Sequence, residues 1–173
     1  MHLVDCTLER HGASILEILN DAIVSSTALY DYVPRPPEAM VTWFESKRAG
    51  RYPVIGLEDE SGQLLGFASY GTFRAWPAYK YAVEHSVYVH REQRGRGLGP
   101  TLMRALIERA KEQELHVMVA GVDVTNRASI RLHEKLGFEH AGTLREVGFK
   151  FGRWLDLAFY QLTLPTPERP ADG

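Results

Sequence analysis

Cysteine is nearly missing from this chain: Cys6 is the only one in 173 residues. A lone thiol closes no intramolecular disulfide, which points to a reducing compartment, and the cytoplasm is the expected location. Beside the first apolar stretch, Cys6 reads as a small core residue rather than a nucleophile. Long hydrophobic runs are also missing. No stretch of 18 apolar residues exists, and the opening "MHLVDCTLERHG" has no signal-peptide pattern, so no membrane association is expected. Nor is there an excess of charge. The 20 Lys and Arg nearly balance the 22 Asp and Glu, for a net charge of −2, so nothing in the overall charge attracts nucleic acid. Repeats and low-complexity blocks are absent, and only "LPTPERPADG" (164–173) reads as a flexible tail. What remains is a single domain over 1–163, long enough to bury a core without staples.

The hydrophobic pattern fills that domain with alternating elements. "HLVDC" (2–6) predicts a short strand, and the apolar stripe Ile15, Leu16, Ile18, Leu19, Ala22 and Ile23 predicts a helix over 8–23. A loop with three prolines (26–37) leads to a second helix over 38–50, with Gly50 placed to end it. Residues 52–59 and 64–73, around the turn "ESGQ", predict a β-hairpin. After the loop "RAWPAYK" (74–80), a long strand follows at 81–90, then a glycine-rich turn and a helix over 100–113. A strand at 116–124, a helix at 126–136 and two strands near 138–147 and 154–163 complete the chain. The β-α-β crossover around the glycine turn implies at least one parallel pairing, hence an α/β fold with a mixed sheet covered by helices.

The turn itself, "QRGRGLG" (93–99), brings the first chemistry. Successive backbone N–H groups and the first turn of a helix aim free donors and a positive dipole end at one place, which makes an anion site. Glycine allows positive φ and lets a phosphate come close to the backbone. Arg94 and Arg96 would add charge, or could simply be solvated. "GLGPT" lacks the Gly-Lys-Ser/Thr ending of the triphosphatase loop, and G-x-G-x-G is not the dinucleotide spacing G-x-G-x-x-G. Further on, "NRASIRLHEKLGF" (126–138) starts a helix at Asn126, a good N-cap, and closes it with Gly137. Asn126, Ser129 and His133 share one helical face, where a ligand tail could pass, while Ile130, Leu132 and Leu136 are left for packing.

Together, "VYVHREQRGRGLGPTLMRALI" and "NRASIRLHEKLGF" resemble the two central motifs of the GCN5-related N-acetyltransferase superfamily. A finer likeness in "VEHSVYV", "RLHEKLGF" and "GFKFGRWLDLAFYQL" is to the phosphinothricin and methionine-sulfoximine acetyltransferases. The resemblance implies a central sheet splayed between its fourth and fifth strands, with acetyl-CoA as co-substrate. The pyrophosphate would then rest on Arg94, Gly95, Arg96, Gly97, Leu98, Gly99 and Pro100, where Pro100 contributes no N–H but suits a first helical turn. Backbone of Val87, Tyr88 and Val89 would take the pantetheine arm as an added strand does, with the Val89 N–H on the thioester carbonyl. Asn126 would bond the pantetheine or thioester end, although it could serve only as the cap, and Ser129 would also bind the cofactor.

Acetyl transfer to an amine requires removal of a proton from the ammonium, polarisation of the carbonyl and stabilisation of the thiolate. Glu84, partly enclosed by apolar neighbours, suits a general base, the role the resemblance gives it. Its alternative is a surface strand carboxylate. Strand alternation places Glu84 and Ser86 on one face and His85 on the other; all three are candidates for the substrate side. His133 stands where much of the superfamily has Tyr, and could protonate the thiolate, orient the sulfur, or sit satisfied by a backbone carbonyl. Arg74, Ala75 and Trp76 form a loop suited to a small acidic ligand, Arg74 as a carboxylate or phosphinate fork and Trp76 as an apolar wall. The expected reaction is direct attack in a ternary complex on the α-amine of a small amino-acid analogue. A protein N-terminus, an antibiotic amine, or acyl-CoA sensing without turnover remain alternatives. No His or Cys pair has metal-ligand spacing, so no metal is expected, and the late strands suit a homodimer by resemblance.

Overall fold

The computed structural model describes residues 1–172. Its strands are β1 (His2–Asp5), β2 (Val54–Glu58), β3 (Leu64–Thr72), β4 (Ala82–Val89), β5 (Val117–Asp123), β6 (Glu139–Lys150) and β7 (Arg153–Thr163). Its helices are α1 (Leu8–Ser25), α2 (Ala39–Ala49), α3 (Leu98–Glu112) and α4 (Arg127–Lys135). The order of elements is the one the hydrophobic pattern predicts. The sheet order is β1-β2-β3-β4-β5-β7-β6, with β4 and β5 parallel, which makes the fold mixed α/β. The chain divides into two compact units, one of Met1–Gly71 with Ser86–Leu106 and one of Thr72–His85 with the chain from Ile107 onward.

In the first unit the stripe of α1 does what its spacing requires. Ile15, Ile18 and Leu19 are buried against Met40, Val54, Leu64 and Phe67. Thr7 caps the helix by accepting the Arg10 N–H at 3.3 Å. Trp43 meets Phe44 and Phe67 edge-on at 5.0 and 6.1 Å, and Phe67 lies 5.5 Å from Tyr88. Gly66 is needed here, because a Cβ would stand 2.8 Å from the Tyr88 carbonyl oxygen and 3.2 Å from the Val89 Cα. One expectation changes in mechanism. Gly50 caps α2 with right-handed angles, and Arg51 takes the left-handed turn at φ 54°.

The same unit buries a carboxylate. Glu58 is fully enclosed, and its oxygens meet His11 Nε2 at 2.9 Å, Arg10 at 2.7 Å and His2 Nε2 at 3.2 Å. The Thr7 N–H donates to His11 Nδ1 at 2.9 Å, so His11 carries its hydrogen on Nε2 and donates it to Glu58. Burial pushes the Glu58 carboxyl up, but hydrogen bonds from His11 and the Arg10 charge outweigh it and hold the carboxyl below its usual range. Cys6 packs nearby, its thiol raised to about 12, first by burial and then by Glu58.

In the second unit, β4 and β5 pair over Ala82↔Val117, Val83↔Met118 and Glu84↔Val119, and β4 runs on to Val89. β5 pairs antiparallel with β7 from Val117↔Thr163 to Asp123↔Leu157. β6 and β7 form a long hairpin through Phe151 and Gly152, both at positive φ. The C-terminal stretch is hydrogen-bonded to this unit: the Leu164 N–H donates to the His116 carbonyl at 2.7 Å, and the Ala171 N–H donates to the Tyr81 hydroxyl at 3.1 Å. No helix among the described residues is long and apolar enough to cross a membrane.

Glu58→Ala leaves the buried His11 N–H without its acceptor, while the exposed Arg10 returns to water, so the substitution should cost roughly 2 kcal/mol in urea unfolding at pH 7. A carboxyl with depressed proton affinity stabilises above its ordinary titration range and loses that contribution as pH falls through its folded value. The deficit of the variant should therefore shrink when unfolding is repeated near pH 3.

Candidate active site

The glycine turn has the backbone that an anion site requires. Gly95 and Gly97 sit at φ 79° and 77°, where a side chain is strained. Nothing lies within 4 Å of a Cβ built on either, so the face they present is open. Leu98 is buried as the first residue of α3 and fixes the helix start, with Gly99 and Pro100 half-buried in its first turn. The arginines are exposed but not free. Arg94 reaches the Val89 carbonyl at 3.4 Å and Asp21 of α1 at 3.4 Å, and Arg91 reaches the other Asp21 oxygen at 3.3 Å. Arg96 donates to the side-chain oxygen of Gln93. Asp21 has no signal in the sequence that ties it to this loop. Upstream, Val87, Tyr88 and Val89 are half-buried, and Tyr88 packs on Phe67.

Strand alternation in β4 holds where the chemistry was expected. Val83 and His85 are buried, while Glu84 and Ser86 are exposed. The Glu84 carboxyl is raised above its usual range, because loss of solvation outweighs the opposing attraction of Arg74. That places Arg74 in electrical contact with Glu84 and gives the loop after β3 a tie to β4. Arg74 lies 5.0 Å over the Phe73 ring, and Phe73 packs edge-on against Tyr79. Ala75 is exposed, and Trp76 stands 74 % exposed with its indole turned to solvent.

Gly121, to which the sequence pattern gave no role, borders the Glu84 carboxylate. It lies on β5, and a Cβ there would come 3.2 Å from Glu84 Oε1 and 3.3 Å from Leu157 Cδ1. Its missing side chain is the space into which the carboxylate extends. A glycine inside a strand pattern, as in "HVMVAGVDV", was the available signal.

The helix face of Asn126, Ser129 and His133 turns out to be closed at its far end. Asn126 caps α4 by accepting the Ser129 N–H at 3.1 Å. His133 is only 2 % exposed, with Nδ1 at 2.7 Å from the Ser129 carbonyl and Nε2 at 3.0 Å from Nε2 of His85. His85 is buried with it, stacked at 5.0 Å and edge-on to Phe138 at 5.5 Å. Burial pushes both imidazoles toward the neutral form; His85 is lowered to about 3, with His133 adding to the effect. The two histidines are thus brought together, away from the face that carries Glu84.

Arg74→Ala removes the attraction that favours the Glu84 anion. Its carboxyl should then titrate higher still than in the native protein, as measured by carbon-13 NMR of the labelled side chain.

The sequence profile described as the acetyltransferase (GNAT) family matches residues 15–138. An L-methionine sulfoximine/L-methionine sulfone acetyltransferase of Pseudomonas paraeruginosa is 49 % identical over 157 residues, which cover 90 % of this chain and 91 % of that protein. A phosphinothricin acetyltransferase from Sinorhizobium meliloti, solved in complex with acetyl-CoA, superposes with a TM-score of 0.93 at 34 % identity, covering 99 % of this chain and 94 % of that one. A ribosomal-protein-alanine N-acetyltransferase from Brucella melitensis gives a TM-score of 0.92 at 42 % identity, covering 95 % of this chain and all of that one. A profile matched across most of the domain, relatives of this identity and the open glycine turn agree: the chain belongs to the acetyltransferase (GNAT) family.

Proposed function

We propose that the chain transfers the acetyl group of acetyl-CoA to the α-amine of a small amino-acid analogue of the methionine sulfoximine, methionine sulfone or phosphinothricin type. The observation that carries this reading is Glu84: an exposed carboxylate with raised proton affinity, facing an arginine and given room by a glycine. A base whose proton affinity lies nearer neutrality than that of an ordinary carboxylate can accept a proton from an ammonium and still be ionised at working pH. Arg74 has two tasks in this reading. It keeps part of Glu84 ionised, and its guanidinium offers a fork for the substrate's carboxylate or phosphinate. Ala75, Trp76 and Ser86 border the same substrate, with Trp76 as an exposed apolar wall.

The glycine turn fits the cofactor. The backbone N–H groups of Gly95, Arg96, Gly97, Leu98 and Gly99 hold the pyrophosphate, with Arg94 and Arg96 adding charge. Pro100 gives no donor and sets the helix angle. In this reading main-chain groups of Val87, Tyr88 and Val89 take the pantetheine arm as an added strand does, and Asn126 and Ser129 are assigned to the cofactor. Acetyl-CoA supplies the activated acyl group. The Val89 N–H orients the acyl carbonyl, and Glu84 takes the amine proton during direct attack in a ternary complex. The relatives' names favour an amino-acid analogue. Acetylation of a protein N-terminus, which the name of the Brucella melitensis structure raises, is the second reading.

The late strands leave Leu144, Val147, Phe149, Phe151 and Trp154 each roughly half-exposed or more on one hairpin. An apolar surface of that kind suits a second copy of the chain, and the cytoplasm is the compartment that fits a lone thiol.

Glu84→Gln should lower turnover of methionine sulfone by about 10² while acetyl-CoA binding persists. In the same assay, an alanine-ended peptide should give no thiol release; faster turnover of the peptide than of any amino-acid analogue would favour the second reading. Acetyl-CoA at a hundred times its dissociation constant should stabilise the protein by roughly 2.7 kcal/mol. Gly97→Val should remove most of that thermal shift, since a β-branched residue opposes φ 77° and fills the open face.

A further inference from the structure

β4 sends two neighbouring ionisable residues to opposite faces, and the buried one, His85, sits against His133. Two ring nitrogens 3.0 Å apart need one hydrogen between them. Which ring supplies it follows from the far end of the pair. His133 Nδ1 lies 2.7 Å from the Ser129 carbonyl oxygen, which can only accept, so Nδ1 carries a hydrogen. A neutral imidazole has one N–H, so His133 Nε2 is a bare lone pair and the shared hydrogen belongs to His85 Nε2. His85 Nδ1 must then also be bare. That atom is fully buried and has no hydrogen-bond partner, which is consistent with a lone pair and would strand an N–H.

The competing arrangement makes His133 a cation that donates from both nitrogens. It would put a charge in a buried place faced by Ser129 on α4, His85 on β4, Phe138 before β6 and Tyr160 on β7, with His140 of β6 behind Tyr160. None of these groups is a carboxylate, so nothing among them offsets the lost solvation.

We propose that His85 is a positioning residue, whose Nε2–H locks His133 as the neutral Nδ1–H tautomer and so fixes the first turn of α4, where Asn126 and Ser129 lie. Only its effect on catalysis rests on the acetyl-transfer reading above. In that reaction His133 has no hydrogen left to give, so it orients the start of α4 and does not protonate the departing thiolate. No covalent or proton-transfer step passes through the pair.

The test is long-range proton–nitrogen NMR of protein labelled at its histidines, with two variants. In the native protein His133 should show a protonated Nδ1 and a bare Nε2, and His85 the reverse. His85→Gln keeps a donor at nearly the same place, and should keep the His133 tautomer and turnover within about threefold. His85→Phe keeps the ring but removes the donor. It should release His133 into mixed tautomers, let it take up a proton at higher pH, and lower kcat by about tenfold with a smaller change in KM for acetyl-CoA. A hydrogen on His133 Nε2 in the native protein would overturn the proposal, as would a His85→Phe protein with the native tautomer and native kcat. The tautomer is read without turnover, so failure of the substrate assignment leaves this result standing, and failure here leaves that assignment untouched.

Discussion

A β-strand must point consecutive side chains to opposite faces, and at Val83-Glu84-His85-Ser86 that constraint decides which groups reach the open face. Glu84 and Ser86 go to the open face and Val83 and His85 to the closed one. A shift of one residue would bury the carboxylate and expose the imidazole. The register that prevents this is set by the pairing of Ala82, Val83 and Glu84 with Val117, Met118 and Val119. From there the surroundings follow. Gly121, two residues along β5, leaves room for the carboxylate, and the loop after β3 brings Arg74 near enough to oppose its protonation.

The glycine turn in the first unit works by a different constraint. Two residues at positive φ leave a face that no neighbouring atom covers, and the buried Leu98 starts a helix immediately behind them. The neighbouring arginines are held by Asp21, which gives the loop a defined shape before any ligand arrives. Each of these ion pairs is at the surface and contributes little to stability. Their effect is to limit where the positive charge can sit.

Much of this could be read in the sequence because it depends on local spacing. The stripe of α1, the alternation in β4, Asn126 as a cap and Gly137 at φ 87° all rest on residues within a turn or two of one another. What escaped depends on residues far apart in the chain. His85 and His133 are 48 residues apart, and the polar face drawn for α4 gave no sign that its last member turns inward beside Ile130. Glu58 ends a five-residue run that is buried throughout, and its partners lie on β1 and α1, so alternation could not reveal its cage. Gly50 illustrates a smaller limit. The helix stop was legible, but the left-handed residue is Arg51, whose N–H closes the turn onto the Arg48 carbonyl. The contacts of Leu164 and Ala171 likewise join a polar, proline-rich tail to distant backbone and side-chain groups.

The account depends most on Glu84 accepting the amine proton. The direct measurement compares two pH profiles: the titration of the Glu84 carboxyl by carbon-13 NMR in the free protein, and the acid limb of kcat/KM for methionine sulfone, which reports groups of the free enzyme. The account predicts one shared midpoint, above the ordinary carboxylate range, with activity rising as the carboxyl loses its proton. A limb that stays in place while the carboxyl titrates elsewhere would contradict it.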